Sequence, residues 1–320
     1  MRARFLREAG LVLGLVLGSA GTFAAGAMAQ TPAPAVTKAT APRQQTFPSP
    51  QQAADALTTA IRKNDDKAVA DILGSSWRDF VPGTQQHEDA QRDKFLASWD
   101  EAHKIEMQGD SKASVVVGKT GFTLPIPIVK DGNGWRFDAT AGLREITARY
   151  IGRNELTTIQ TLLGVVDAER EYASDDPMRT GVGTYARRLL SSPGKKDGLY
   201  WETKPGEPES PLGPLVAKAQ PGDQDGANGY FGYHYRLLYS QGPAAPGGAR
   251  DYIVNGRMIG GFAVIAWPVR YGETGVSTFI VSDAGVVYER DLGPETAQRA
   301  GAITVFNPDK DWQKSDMTPP

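Results

Sequence analysis

The stretch IGRNELTTIQ, residues Ile151–Gln160, decides how this chain is organised. Gly152, Arg153, Asn154 and Glu155 sit inside an apolar pattern that otherwise reads as one long helix. Upstream, Leu143, Ile146 and Tyr150 share a helical face, and downstream Ile159, Leu162, Leu163 and Val166 share another. At about 100° per residue those two faces point roughly 180° apart. One straight helix can bury both only when it lies between two bodies; the alternative is a break at Gly152. In either case the first half should serve an N-terminal domain and the second half a C-terminal one, with residues 152–155 as the joint. Arg153 and Glu155 are at the same time candidate ligand- or partner-binding residues. An Arg beside a Glu can hold an anion or supply an acid–base group, or it can belong to a charge network at a structural seam. The i, i+4 spacing of Glu145 and Arg149 puts an ion pair on the same helix.

Working outward from that helix, the start of the chain has the three parts of an export signal. Arg2, Arg4 and Arg7 are followed by the apolar run LVLGLVLG and by Ala27 and Ala29 ahead of a cut near Gln30. The apolar run is short for a membrane span, and there is no twin arginine, so the general secretory route and a periplasmic or secreted product are expected. Residues 1–29 are therefore expected to be a signal peptide that leaves no membrane span after cleavage. Their three Arg and one Glu take the formal charge from −2 to −4 when removed. A mildly acidic product excludes the broad classes that bind nucleic acid or anionic lipid by charge. Cys is absent, which rules out a thiol nucleophile and a thiolate metal site. Residues 30–50, rich in Pro, Ala and Thr, are expected to form a disordered linker.

Residues 51–150 read as an N-terminal α+β domain. Ala53, Leu57, Ala60 and Ile61 make one helical face; Ala68, Val69, Ile72 and Leu73 make a second after an Asn64-Asp65 cap. KASVVVGK, GFTLPIPIVK and GWRFDAT then read as strands, with KDGNG (130–134) as a hairpin turn. Pro125 and Pro127 require an edge or a bulge in the middle strand. Helices followed by a curved antiparallel meander resemble the nuclear transport factor 2-like cone, a fold that serves enzymes and inert modules alike.

Residues 151–320 read as a C-terminal α+β domain built on the bridging helix. Its strands are expected in GYFGYHYRLLYS, RDYIVNG, GGFAVIAWPV, VSTFIVSD and GVVYERD, with SDAG (282–285) as a turn. Within YFGYHYRLLY, alternation puts Phe231, Tyr233, Tyr235, Leu237 and Tyr239 on one face and Tyr230, His234, Arg236 and Leu238 on the other. An aromatic strand carrying a histidine can line a pocket, or be one core face and one half-exposed face. The loop SSPGKKDGLYW places Tyr200 and Trp201 together, the best surface-recognition candidates here, beside Asp197. Ser191, Ser192, Lys195 and Asp197, with His234, make a formal serine-chemistry set. Pro193-Gly194 breaks the helix that would align Ser192 with Lys195, so a helix stop is the plainer reading.

From FPSPQQAADAL through GWRFDATAGLREITARYIGRNEL and SSPGKKDGLYW to GGFAVIAWPVRYGETGVSTFIVSDAGVVYERDLG, the chain resembles the bacterial exported family called domain of unknown function 2950. The segments 152–156, 197–201 and 271–291 are the most specific parts of the match. The resemblance implies an envelope location and no established reaction. The last third also resembles the globular head of type IV pilin-like proteins, an antiparallel sheet packed on a helix, with residues 155–173 in the helix's place. It lacks their N-terminal membrane helix and processing motif, so pilus incorporation is not expected.

Metal chemistry has little support. His87 (in an acidic loop), His103 (near a strand start) and His234 are the only histidines and lack paired ligand spacing. Asp283, Glu289, Asp291, Asp309 and Asp311 crowd the C-terminal region and offer oxygen ligands for Ca²⁺, but without EF-hand spacing, so no cofactor is expected and a solvated acidic surface is preferred. The reading is an exported envelope protein acting as a non-enzymatic binding module for a partner protein, a cell-wall component or a small molecule, through Arg153, Glu155, Asp197, Tyr200, Trp201 and His234. The alternative is a periplasmic hydrolase or a pocket enzyme of the cone fold.

Overall fold

The computed structural model describes residues 44–81, 84–218 and 229–316. The expected signal peptide (1–29) and residues 30–43 of the expected linker lie outside them. The fold starts ahead of residue 51, because residues 44–50 are already tied down. The Gln44 side chain donates to the carbonyls of Ile72 and Phe137, and Phe47 exchanges two 2.7 Å backbone hydrogen bonds with Trp135. Phe47 is buried, a position that composition cannot reveal.

Helix α1 (Pro50–Arg62) is capped by the Ser49 hydroxyl, which accepts from Gln52 N–H, and has Pro in its first turn. Asp65 caps α2 (Asp66–Leu73) by accepting from Ala68 N–H. Both bury the apolar faces that periodicity marks. A short 3₁₀ turn (Trp77–Phe80) leads to α3 (Gln85–Glu101). This helix places His87 in a first turn rather than in a loop. Among its side chains only Trp99 is buried, so it carries no apolar stripe for periodicity to detect. Strand β1 (His103–Gln108) is likewise nearly all exposed and pairs as the sheet's edge with β2 (Lys112–Val117), whose valines are buried.

The proline-containing strand is split into β3 (Phe122–Thr123) and β4 (Ile128–Asp131), and both pair with β2. Two residues of β2, Ser114 and Val115, face four, Leu124 to Pro127. That is the bulge the prolines demand. The turn through Gly132 (φ 60°) then sends the chain into β5 (Gly134–Phe137). Helices and sheet enclose a hydrophobic cluster that includes Leu57, Ile72, Trp99, Val115, Ile128 and Phe137.

Helix α4 (Ala139–Asp175) runs for 37 residues, about 55 Å at 1.5 Å per residue, with no break at Gly152. Asp138 caps its first turn through Ala141 N–H, and Asp176 ends it in the left-handed region. Its two halves are held differently. Beyond Thr158, the side chains of Ile159, Leu162, Val165, Val166 and Tyr172 are buried in a second hydrophobic cluster. The first half has no comparable stripe. Leu143 and Ile146 are only half-buried, and Tyr150 is 43% exposed. What anchors this half is close and polar. Gly142 lies against Ile126, where a Cβ would come within 2.9 Å of that side chain. Arg149, ion-paired with Glu145, donates to the Thr123 carbonyl at 2.8 Å. The equal burial of both helix faces expected from the apolar spacing therefore does not occur.

Helix α5 (Gly213–Lys218) precedes β6 (Tyr233–Leu238). Two small ladders follow: β7 (Ser240–Gln241) with β8 (Arg250–Asp251), and β9 (Ile253–Val254) with β10 (Arg257–Met258). The main C-terminal sheet is antiparallel. It is completed by β11 (Ala263–Pro268), β12 (Ser277–Ser282), β13 (Val287–Asp291) and β14 (Gln313–Lys314), in the order β14-β13-β12-β11-β6, with α6 (Thr296–Ala302) between the last two strands. The fold is α+β with antiparallel open sheets. No helix among the described residues is long and apolar enough to cross a membrane.

A candidate ligand pocket and a helix-to-hairpin clamp

Glu155 and Asn154 are taken up by the hairpin that joins β11 to β12. Glu155 Oε1 accepts from the backbone N–H of Val276 and of Ser277, both at 2.9 Å, and from the Tyr233 hydroxyl at 3.4 Å. Asn154, 4% exposed, donates from Nδ2 to the Thr274 carbonyl at 2.8 Å. The single Tyr233 hydroxyl proton is shared between Glu155 Oε1 and the Ser277 carbonyl, the latter closer at 3.0 Å. Backbone groups at the end of a hairpin have no ladder partners, and a carboxylate satisfies two such N–H groups at once. Gly275 lets the hairpin come this close, since a Cβ there would lie 2.0 Å from the Tyr233 oxygen. Arg153 points elsewhere and is exposed.

The loop 191–198 folds on itself. Asp197 accepts from Ser192 N–H (2.7 Å) and from the Ser192 hydroxyl (2.8 Å), and these bonds hold its carboxyl below the usual carboxylate range. Gly198 N–H donates to the Ser191 hydroxyl at 3.0 Å. Both serines are thus turn-forming groups. Behind the loop, Leu199 is fully buried, and the backbone of Tyr200 pairs with that of Leu189 and Ser191. This register fixes Tyr200 and Trp201 at the rim. The Trp201 ring meets Tyr172 edge-on at 6.5 Å, and Lys196 Nζ lies 5.1 Å above it.

That rim faces β6 across a cavity of about 980 Å³. Tyr200 and Trp201 from the loop and His234 from the strand border it together, as do Ser191, Ser192, Lys195 and Lys196. Val165, Leu189, Leu212 and Leu215 give it a largely apolar wall, and Tyr230, Tyr233 and Tyr235 add aromatic surface. The Tyr230 hydroxyl donates to the Leu215 carbonyl at 2.7 Å, and that of Tyr235 to Thr158 Oγ1 at 3.3 Å. Burial lowers the His234 pKa, favouring the neutral ring. The structure therefore brings together Tyr200, Trp201 and His234. It puts Asp197 on the far side of the same loop, where it borders a second cavity, and leaves Arg153 and Glu155 out of the pocket. The leucines and valine of the wall were hidden from sequence reasoning, because isolated apolar residues in three separate segments look like ordinary core.

His103 has a local role: it stacks on Trp99 at 3.9 Å, with Nδ1 3.0 Å from the Trp99 carbonyl oxygen. Among the C-terminal acids, Asp283 pairs with Arg250 and Asp311 with Arg290, both at 3.3 Å, while Asp291 accepts from Gly293 N–H and the Tyr271 hydroxyl. Among the described residues no group of three or more His, Asp or Glu is placed to hold a metal ion. Glu169 was not picked out by any pattern. It is fully buried in α4, accepts from Ala186 N–H at 2.7 Å through Oε2, and has Oε1 buried without a partner. Burial raises its pKa to about 8.

The family described as protein of unknown function, DUF2950, matches residues 44–315. The chain belongs to the DUF2950 family. No curated protein and no solved structure matches it. The first residue of the family match coincides with Gln44, where the described fold begins. Two of the stretches that carry the resemblance, 152–156 and 271–291, meet in the clamp between α4 and the hairpin. The third, 197–201, carries Tyr200 and Trp201 of the pocket rim. In this DUF2950 chain the motif residues thus divide into an architectural pair and a pocket wall.

Proposed function

We propose that this DUF2950 protein is an exported envelope protein that binds a small molecule or cell-wall fragment in the pocket between the 191–201 loop and β6. The observation that carries the reading is the convergence of Tyr200, Trp201 and His234, from segments more than thirty residues apart, on one cavity of about 980 Å³. Its volume is in the range of small-molecule sites, and its apolar wall with a few polar groups has the composition such sites share. Aromatic faces at the rim suit the apolar face of a sugar ring or a flat organic group, and Lys195 and Lys196 supply positive charge beside it. The two serines, bound within their own turn, and His234, with no charged partner among the described residues to orient it, give the pocket binding character rather than nucleophilic character.

The test is a titration of the purified protein with cell-wall disaccharides, stem peptides and a panel of aromatic metabolites, read by tryptophan fluorescence. At least one should bind saturably, and Trp201→Ala or Tyr200→Ala should weaken it about tenfold or more, as loss of an aromatic anchor does. Absence of saturable binding across the panel, or binding untouched by both substitutions, would overturn the proposal. Turnover of a bound compound that disappears in His234→Ala would make the pocket an active site instead.

A further inference from the structure

We propose that the neighbouring cavity, walled by Arg187, Arg188 and Arg257, is a site for a small polyanion presenting phosphate or carboxylate oxygens. This cavity, of about 740 Å³, shares only Leu190 with the aromatic pocket. The fold assembles it from distant parts. Tyr185 N–H donates to the Met258 carbonyl at 2.8 Å, which lays the segment carrying Arg187 and Arg188 against the β9–β10 ladder that carries Arg257. The Tyr239 hydroxyl then donates to the Arg187 carbonyl at 3.1 Å and fixes that segment from the end of β6.

None of the three guanidinium groups has an ion-pair or hydrogen-bond partner among the described residues. Several arginines elsewhere are matched with carboxylates, Arg62 with Asp100, Arg149 with Glu145 and Arg250 with Asp283; what sets these three apart is that they border one cavity together. The nearest acids here are already engaged. Asp197, beside Arg188, is held by Ser192, and Asp176, beside Arg257, is held by Thr180 and Gly181. Both acids act on the arginines through space without occupying their N–H groups. Three arginines thus border one cavity in a chain whose formal charge is −2. Arginine forks match the paired oxygens of carboxylate and phosphate, and several in one concavity favour a ligand with more than one negative charge.

Calorimetric titration of the purified protein with pyrophosphate and with citrate, at fixed ionic strength, tests this. Saturable 1:1 binding is expected, and the tighter probe tells phosphate from carboxylate chemistry. Each of Arg187→Gln, Arg188→Gln and Arg257→Gln should weaken it several-fold, roughly the loss of one charge-assisted contact, and the triple variant should abolish it. Arg144→Gln, at an exposed arginine on α4 that borders neither cavity, should leave it unchanged. Circular dichroism checks that the triple variant folds, and if it does not, the single variants decide. No saturable binding of either probe, or equal weakening by Arg144→Gln, would overturn the assignment. Because the aromatic pocket is read through the Trp201 and Tyr200 variants and this cavity through its arginine variants, either site can fail without the other.

Discussion

Glu169→Gln is the substitution for which the structure gives a magnitude with a definite sign. Glu169 is fully buried, its one hydrogen bond is from Ala186 N–H, and burial lifts its pKa from 4.5 to about 8. In the unfolded chain the carboxyl ionises near 4.5, while in the folded chain it keeps its proton to about pH 8. The folded state therefore holds one more proton across that window. Stability from this group is complete below pH 4.5 and is lost as pH rises, at about 1.4 kcal/mol per pH unit, up to the folded value. The loss reaches about 3 kcal/mol at pH 7 and levels off at about 5 kcal/mol above pH 8. Glutamine keeps the oxygen that faces Ala186 and cannot ionise. Its buried amide N–H₂ adds an offset of about 1–3 kcal/mol that does not depend on pH. Urea unfolding of both proteins at pH 5, 6, 7 and 8 separates the two contributions. The variant should gain about 3–4 kcal/mol relative to the parent between pH 5 and pH 8, since all other titrating groups are shared. Parallel pH profiles would refute the reasoning and mean that Glu169 is charged and paired in the folded protein.

Gly275→Ala should destabilise by about 1–3 kcal/mol in chemical denaturation, because the new Cβ meets the fully buried Tyr233 and the hairpin must move off Glu155. Sequencing of the protein from an envelope fraction should find its N-terminus near Gln30, and an intact Met1 there would sink the export proposal.

What the sequence makes legible follows from how each element meets solvent. Elements with a buried apolar face or run are legible: α1 and α2 by helical period, the valine strand β2, buried on both faces, by its continuous apolar run, and β6 by its alternating aromatic residues. The prolines of the GFTLPIPIVK strand announced a bulge, because a residue without an N–H leaves a ladder hydrogen bond unmade. Helix α3 and strand β1 were missed for the converse reason, as each is mostly exposed and leaves no stripe. The first half of α4 misled in a third way. Leu143, Ile146 and Tyr150 have the spacing of a buried face, yet the helix is held there by a glycine contact and by Arg149 on a carbonyl, neither of which shows as a pattern. The pocket was half legible. Aromatic clustering pointed to Tyr200, Trp201 and His234, but only the fold shows that they share a cavity, and the adjacent pair Arg187-Arg188 carried no sign that Arg257 would join it.

The cluster in IGRNELTTIQ looked like chemistry because Arg, Asn and Glu are the residues that active sites use. They are also the residues that buried backbone uses. A hairpin packed on a helix presents N–H and C=O groups that no ladder serves, and here Glu155 and Asn154 serve them from mid-helix. Tyr233 links that clamp to the pocket. Its hydroxyl joins Glu155 and the Ser277 carbonyl, while the residue itself borders the aromatic cavity next to His234. The charged cluster therefore bears on the proposed binding through position: it fixes the strand that carries Tyr233, His234 and Tyr235 to the cavity. A side chain held at its far end by a carboxylate and a carbonyl has little rotamer freedom left, so this wall is set before any ligand arrives. A pre-set wall lowers the ordering cost of binding. The clamp and the pocket are thus two parts of one arrangement, with Glu155 contributing through Tyr233 rather than by touching a ligand.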